Sequence, residues 1–102
     1  MSATAPSLSG HKVLVTGSAR GLGESFVRAL HEAGAHVAIS DVLHERGQAL
    51  AAELGARACY VPLDLDDPTS IEQGVAQAAL QLGGLDGLVN NGAITHSGGK
   101  TL

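Results

Sequence analysis

The sequence predicts an α/β fold, a doubly wound parallel sheet of four strands and three helices. Three observations carry that prediction. Short apolar runs alternate with stretches whose apolar residues recur at helical spacing. The runs are nearly continuous rather than alternating in polarity, as in strands covered on both faces. The helical stretches each end at glycine. The apolar residues are mostly Ala, Val and Leu, and the only aromatic ones are Phe26 and Tyr60. Such a composition suits close packing of helices on a sheet.

Residues 1–10 read as a flexible lead-in, and residues 11–102 as one partial domain. Val13-Leu14-Val15 is the first strand, ended by Thr16-Gly17. Leu22, Phe26, Leu30 and Ala33 form the stripe of the first helix, and Gly34 stops it. The second strand runs from His36 to Ser40 and ends at Asp41. Leu43, Gly47, Leu50 and Leu54 mark the second helix, stopped by Gly55. The run from Ala58 to Leu63 is a third strand, and Pro62 gives it an edge or strand-end position. Asp67-Pro68 starts the third helix, with an acceptor at the N-cap and proline where a missing N–H costs nothing. Ile71, Val75, Ala78, Ala79 and Leu82 line it, and Gly83-Gly84 ends it. Leu85 to Asn90 is the fourth strand. From Asn91 to Leu102 the chain is polar and Gly-rich, with no element predicted. Right-handed crossovers put the first two helices on one face. A strand order of 3-2-1-4 returns the third helix to the other face.

Composition narrows the function. The net charge is −4, no Lys/Arg run occurs, and aromatic stacking platforms are missing. Nucleic acid and anionic membrane are therefore poor partners. A single cysteine, Cys59, forms no internal disulfide and gives no sign of an oxidising compartment. The start has no charged region followed by an apolar run, so it does not read as a signal peptide. No apolar stretch approaches the ~20 residues of a membrane span. A cytoplasmic protein is expected. The five histidines are His11, His31, His36, His44 and His96, and none pairs at helical spacing with a carboxylate partner. No metal site is expected. His96 and Ser97 read as loop residues, with a place at a substrate mouth as the alternative. Lys100 reads as solvated, Cys59 as a core thiol, and Asp66 and Asp67 as caps.

The segment Thr16-Gly17-Ser18-Ala19-Arg20-Gly21-Leu22-Gly23 lies between a strand and a helix. Gly17 permits a tight turn out of the strand. Gly21 lets the backbone approach a pyrophosphate, and Gly23 lets the helix pack closely. The N–H groups and positive dipole end of the helix then face the phosphates. Glycines alone are a weak signal; with a strand before them and an apolar helix after, the signal becomes strong.

Asp41 ends the second strand, where an acidic side chain accepts hydrogen bonds from an adenosine ribose. It also repels a 2′-phosphate, which favours NAD over NADP. Arg20 points the other way, because a base in the glycine loop could pair with that phosphate. As an alternative, Asp41 caps the helix that begins near Leu43, and both roles are compatible.

From about Leu8 to Ile94 the chain resembles the short-chain dehydrogenase/reductase family. Thr16 to Gly23 matches the family's T-G-x-x-x-G-x-G. Asp64-Leu65 follows the third strand, and Leu88-Val89-Asn90-Asn91-Gly92-Ala93-Ile94 is similar to L-V-N-N-A-G-I. The resemblance implies a Rossmann-type NAD(P)-binding domain. It implies cofactor contacts at Gly17, Ser18, Arg20, Gly21, Leu22, Gly23, Asp41, Asp64, Leu65, Asn90 and Gly92. In the family, the acid matching Asp64 contacts the adenine amino group, with help from the next residue's backbone. The Asn-Asn segment braces the sheet beside the cofactor ribose. Here the last two residues of the tetrad are exchanged. Either Ala93 takes a strained conformation, at a cost of roughly 1 kcal/mol, or Gly92 takes over the flexible position.

The family's chemistry uses Tyr-x-x-x-Lys preceded by a serine. The single tyrosine here, Tyr60, is followed four residues later by Asp64 and lies in a predicted strand. Tyr60 therefore reads as packing, and no catalytic residue is expected in this chain. The resemblance implies an NAD-dependent oxidoreductase of an alcohol or ketone, of which this chain is the dinucleotide-binding half. The chain is expected to stop where the catalytic half begins. Its fourth strand then has a free edge, and one sheet face is partly uncovered. The expectation is a chain that is unstable alone, associates as a homo-oligomer, or folds only with something else supplying the missing strands. The alternatives are a non-catalytic dinucleotide-binding module and a remnant that associates only with partner chains.

Overall fold

The computed structural model describes residues 7–91. Strands and helices alternate throughout: β1 (Lys12–Thr16), α1 (Gly21–Glu32), β2 (His36–Asp41), α2 (His44–Leu54), β3 (Ala58–Pro62), α3 (Pro68–Leu82) and β4 (Gly87–Asn90). The four strands form one sheet in the order β3-β2-β1-β4. All neighbouring strands are parallel, with Val15 opposite both Ile39 and Val89. The predicted strand order and helix count are those observed, and Pro62 lies at the end of an edge strand.

The two faces follow from the period of two along each strand. Val13, Val15, Val37 and Ile39 point to one face and pack with Val27 of α1 and Leu50 of α2. Leu14, Ala38 and Val61 point to the other, where Ala78, Ile71 and Val75 of α3 cover them. Leu14, Val15, Val37 and Ile39 are fully buried. Burying such side chains stabilises by roughly 1.5–3 kcal/mol each.

The stripe predicted for α1 is turned by one residue. Gly23 and Val27 are its buried positions, and Leu30 packs beside them. Leu22 is 64% exposed and Phe26 39%. The reason is local. Gly23 has no side chain to register in a hydrophobic pattern, yet it makes the closest approach to the loop before the helix.

The helix ends match their sequence signals. The Asp67 side chain accepts from the Thr69 N–H at 3.0 Å, and Gly83 closes α3 in the left-handed region. Asp66 does not share this capping role: Asp67 is the N-cap residue, and Asp66 lines the cleft described below. Within the lead-in, Leu8 is held: its N–H donates to the Ala33 carbonyl at 2.9 Å, and its side chain packs on the α1–α2 core. On the α3 face, Leu88 of the edge strand β4 is 56% exposed. Among the described residues no helix is long and apolar enough to cross a membrane.

Candidate cofactor-binding site

A cleft of about 510 Å³ opens beyond the carboxyl ends of the strands. It is lined by Gly17, Arg20, Gly21, Asp41, Val42, Leu63, Asp64, Leu65, Asp66 and Asn91. The loops after β1, β2, β3 and β4 all contribute, which is where open α/β sheets bind ligands. Of the site residues predicted from sequence, Gly17, Arg20, Gly21, Asp41, Asp64 and Leu65 come together here. Val42, Leu63, Asp66 and Asn91 were not predicted. They are carried into the wall by the neighbours that were.

Four predicted residues lie outside the lining. Ser18 is fully buried. Its Oγ donates to the Val15 carbonyl at 2.7 Å and accepts from the Ser40 N–H at 3.1 Å. Its one proton is used and its side chain is shut away from the cleft, so it fastens the loop to β1 and β2. Leu22 projects from the second position of α1 into solvent. Gly23 sits behind the loop, where a Cβ would come within 2.2 Å of the Gly17 carbonyl oxygen and 2.6 Å of Asn91 Nδ2. Asn90 turns its Oδ1 to accept from the Thr16 hydroxyl at 2.9 Å. Gly92, His96, Ser97 and Lys100 lie outside the described residues.

The glycine loop is held on several sides. The Asn91 N–H donates to Thr16 Oγ1 at 3.0 Å, and its side-chain Nδ2 donates to the Gly17 carbonyl at 3.2 Å. Ala19 is gripped through both backbone groups. Its N–H donates to Asp41 Oδ2 at 3.0 Å, and its carbonyl accepts from Arg46 Nε at 2.9 Å. Arg46 has no counterpart among the sequence predictions; its partner is a backbone atom, which leaves no mark on residue identity. Arg46 also borders a second cavity of about 520 Å³ with Arg20, Leu43, His44 and Glu45.

Gly21 opens α1 with φ +62°, and a Cβ there would meet no atom within 4 Å. No side chain caps the helix start. Its first-turn N–H groups are therefore left for water or a ligand. With Arg20 beside them, this end of the cleft is positive. Asp41, Asp64 and Asp66 make the rest acidic. The cleft thus suits a ligand whose anionic centre continues into groups that donate hydrogen bonds.

Asp41 Oδ1 accepts from the N–H groups of Val42, at 2.7 Å, and Leu43, at 3.3 Å. Leu43, not Asp41, is the N-cap residue of α2 and brings no side-chain cap. The capping alternative is therefore corrected: Asp41 closes the turn after β2. A carboxylate has about four acceptor sites, so three N–H donors leave one free. The Asp41 backbone carbonyl accepts from Tyr60 Oη at 2.6 Å and from the Leu63 N–H at 3.2 Å. Tyr60 Oη also lies 2.7 Å from His44 Nδ1. Burial, and then the charge of Asp41, push the Tyr60 hydroxyl above its ordinary range. Asp64 Oδ1 accepts from the Asp66 N–H at 2.9 Å, which shapes the wall after β3. Among the described residues no group of three His, Cys, Asp or Glu side chains is placed to hold a metal ion.

Comparison with known proteins agrees with this geometry. Residues 11–101 match the family model for short chain dehydrogenases. Over 87 residues the chain is 46% identical to a sorbitol dehydrogenase from Cereibacter sphaeroides, covering 85% of this chain and 34% of that protein. It is 46% identical over 91 residues to a 3-alpha-(or 20-beta)-hydroxysteroid dehydrogenase from Mycobacterium tuberculosis H37Rv, covering 89% and 35%. The crystal structure of a 3-ketoacyl-(acyl-carrier-protein) reductase from Brucella melitensis, complexed with NADH, superposes with a TM-score of 0.83 at 33% identity. That match covers 88% of this chain and 37% of the reductase. The chain thus spans about a third of the length of these relatives. With its 3-2-1-4 sheet, its glycine loop and this family match, the chain belongs to the short-chain dehydrogenases.

Proposed function

We propose that this chain is the dinucleotide-binding part of an NAD-dependent oxidoreductase acting on an alcohol or ketone. One observation supports the reading above the others: the uncapped start of α1 at Gly21 and the carboxylate of Asp41 line the same cleft. The residues fit a dinucleotide. Open space at Gly21 admits a pyrophosphate beside helix N–H donors and Arg20. The free acceptor site of Asp41 suits a ribose hydroxyl, and Asp64 with Leu65 suits the adenine edge. Gly17, Ser18, Gly23 and Asn90 act by holding the loop and β4 in place. A bound dinucleotide would supply or accept the hydride. The negative charge of Asp41 disfavours a 2′-phosphate, so NAD is the preferred form.

The chain holds no Tyr-x-x-x-Lys: Tyr60 is its one tyrosine, lies in β3 and is followed four residues later by Asp64. The chain alone is expected to bind without turnover. An association of copies into a homo-oligomer belongs to the same proposal and is supported by Leu88, exposed on the edge strand β4. Calorimetric titration tests the reading directly. NADH is expected to bind more tightly than NADPH, and ADP-ribose to keep most of the affinity. No binding of NADH at millimolar concentration, or tighter binding of NADPH, would count against it.

A further inference from the structure

We infer that Tyr60 and His44 are positioning residues for the ribose-binding carboxylate of Asp41. This rests on the proposed role of Asp41 and adds the device that aims it. Sequence reasoning made Tyr60 a packing residue, and its ring does pack: a Cβ on Gly47 would come within 2.2 Å of Tyr60 Cε1. Its hydroxyl, however, joins three elements. Oη donates to the Asp41 carbonyl at 2.6 Å, at the last residue of β2. A carbonyl can only accept, so the one hydroxyl proton of Tyr60 is used there. His44 Nδ1, 2.7 Å away at the first residue of α2, must then carry a proton and donate to Oη.

The consequence reaches the cleft. The Asp41 side chain is aimed by bonds to the N–H groups of Ala19, Val42 and Leu43. Those bonds close only if the peptide at Asp41 keeps its orientation. Two donors fix that peptide's carbonyl: Tyr60 Oη and the Leu63 N–H, the latter at the longer 3.2 Å. Removing Oη leaves the carbonyl on the weaker donor. His44 in turn keeps Oη from rotating towards solvent.

The test reads discrimination, not affinity alone. ADP-ribose and its 2′-deoxyadenosine analogue are titrated into the full chain by calorimetry, with circular dichroism to monitor folding. Wild-type protein is expected to prefer ADP-ribose by about tenfold, as one charge-assisted hydrogen bond gives. Tyr60→Phe keeps the ring and is expected to bring that preference to within about twofold. Should Tyr60→Phe fail to fold, the exposed His44 decides: His44→Ala lowers the preference and His44→Asn, whose amide can donate from a similar place, restores it. A wild-type preference that persists in Tyr60→Phe, or in His44→Ala where Tyr60→Phe does not fold, overturns the inference while leaving the role of Asp41 intact. A wild type that does not distinguish the two ligands overturns the role of Asp41 itself, and the inference with it.

Discussion

Arg46 of α2 donates from Nε to the backbone carbonyl of Ala19 at 2.9 Å, across 27 positions of sequence. The Ala19 N–H in turn donates to Asp41 Oδ2 at 3.0 Å. Ala19 is therefore clamped between the end of β2 and the first turn of α2, and the glycine loop has little freedom beside the helix start. Arg46→Ala removes one side of this clamp. The bond is partly exposed, so the expected loss of stability is about 0.5–1.5 kcal/mol in chemical denaturation. Dinucleotide affinity is expected to fall by about three- to tenfold, equally for NADH and NADPH, because the clamp acts on the loop and not on the ribose. A changed ratio between the two cofactors would show that Arg46 contacts the ligand instead.

Asp41 carries two duties that substitution separates. As an acceptor it closes the turn after β2 through Val42 and Leu43, and as a charge it opposes a 2′-phosphate. Asp41→Asn keeps one acceptor oxygen and loses the charge. It is expected to cost about 1 kcal/mol of stability while raising NADPH affinity relative to NADH by about tenfold or more. Asp41→Ala leaves three N–H donors without this partner, two of them part-buried and that of Val42 exposed, and is expected to destabilise by about 1–2 kcal/mol. Paired thermal melts and titrations check both. An unaltered NADPH-to-NADH ratio in Asp41→Asn removes the electrostatic argument for NAD.

Much of this arrangement is legible in residue order. Apolar runs and glycine stops give the element order, Asp67-Pro68 gives the start of α3, and the strand ends give Asp41 and Asp64. Three things are not legible, each for a physical reason. The face of α1 is misread because its innermost contact, Gly23, is a residue without a side chain. The inward turn of Ser18 is hidden because residue type does not say whether a hydroxyl turns outward or back to Val15 and Ser40. Arg46 and the Tyr60 hydroxyl are missed because each bonds a backbone carbonyl brought near by the parallel topology. Backbone partners carry no sequence signature, so long-range side-chain-to-backbone bonds are found only once the sheet is assembled.

Gly47→Ala sets two opposing effects against each other. A helix interior gains up to about 1 kcal/mol when alanine replaces glycine. At this position the new Cβ would lie within 2.2 Å of Tyr60 Cε1. The ring cannot yield freely, because its hydroxyl is bonded to the Asp41 carbonyl and to His44. Overpacking costs about 1–3 kcal/mol, so the clash outweighs the propensity gain and a net loss of stability is expected. Chemical denaturation of Gly47→Ala checks the sign. Equal or higher stability would mean that α2 can lift from β3 without cost.

Arg28 joins the two helices on the same face of the sheet. Its Nη1 and Nη2 reach the two carboxylate oxygens of Glu53 at 2.7 and 3.0 Å, and its Nε reaches Glu24 at 2.9 Å. The bond to Arg28, followed by its charge, holds the Glu53 carboxyl below its ordinary value of 4.5. A carboxylate whose pKa is lowered on folding stabilises the protein above its unfolded pKa. That contribution is lost as pH falls through the folded value. The bridge is therefore expected to act in full at neutral pH and to fade below the ordinary glutamate range. Both partners face solvent, so the effect is small and salt weakens it. Wild type should melt above Glu53→Gln at pH 7 in dilute buffer. The gap should narrow in molar salt and close in strong acid. A gap that is constant across pH would trace the difference to the helix propensity of the substituted side chain and not to the ion pair.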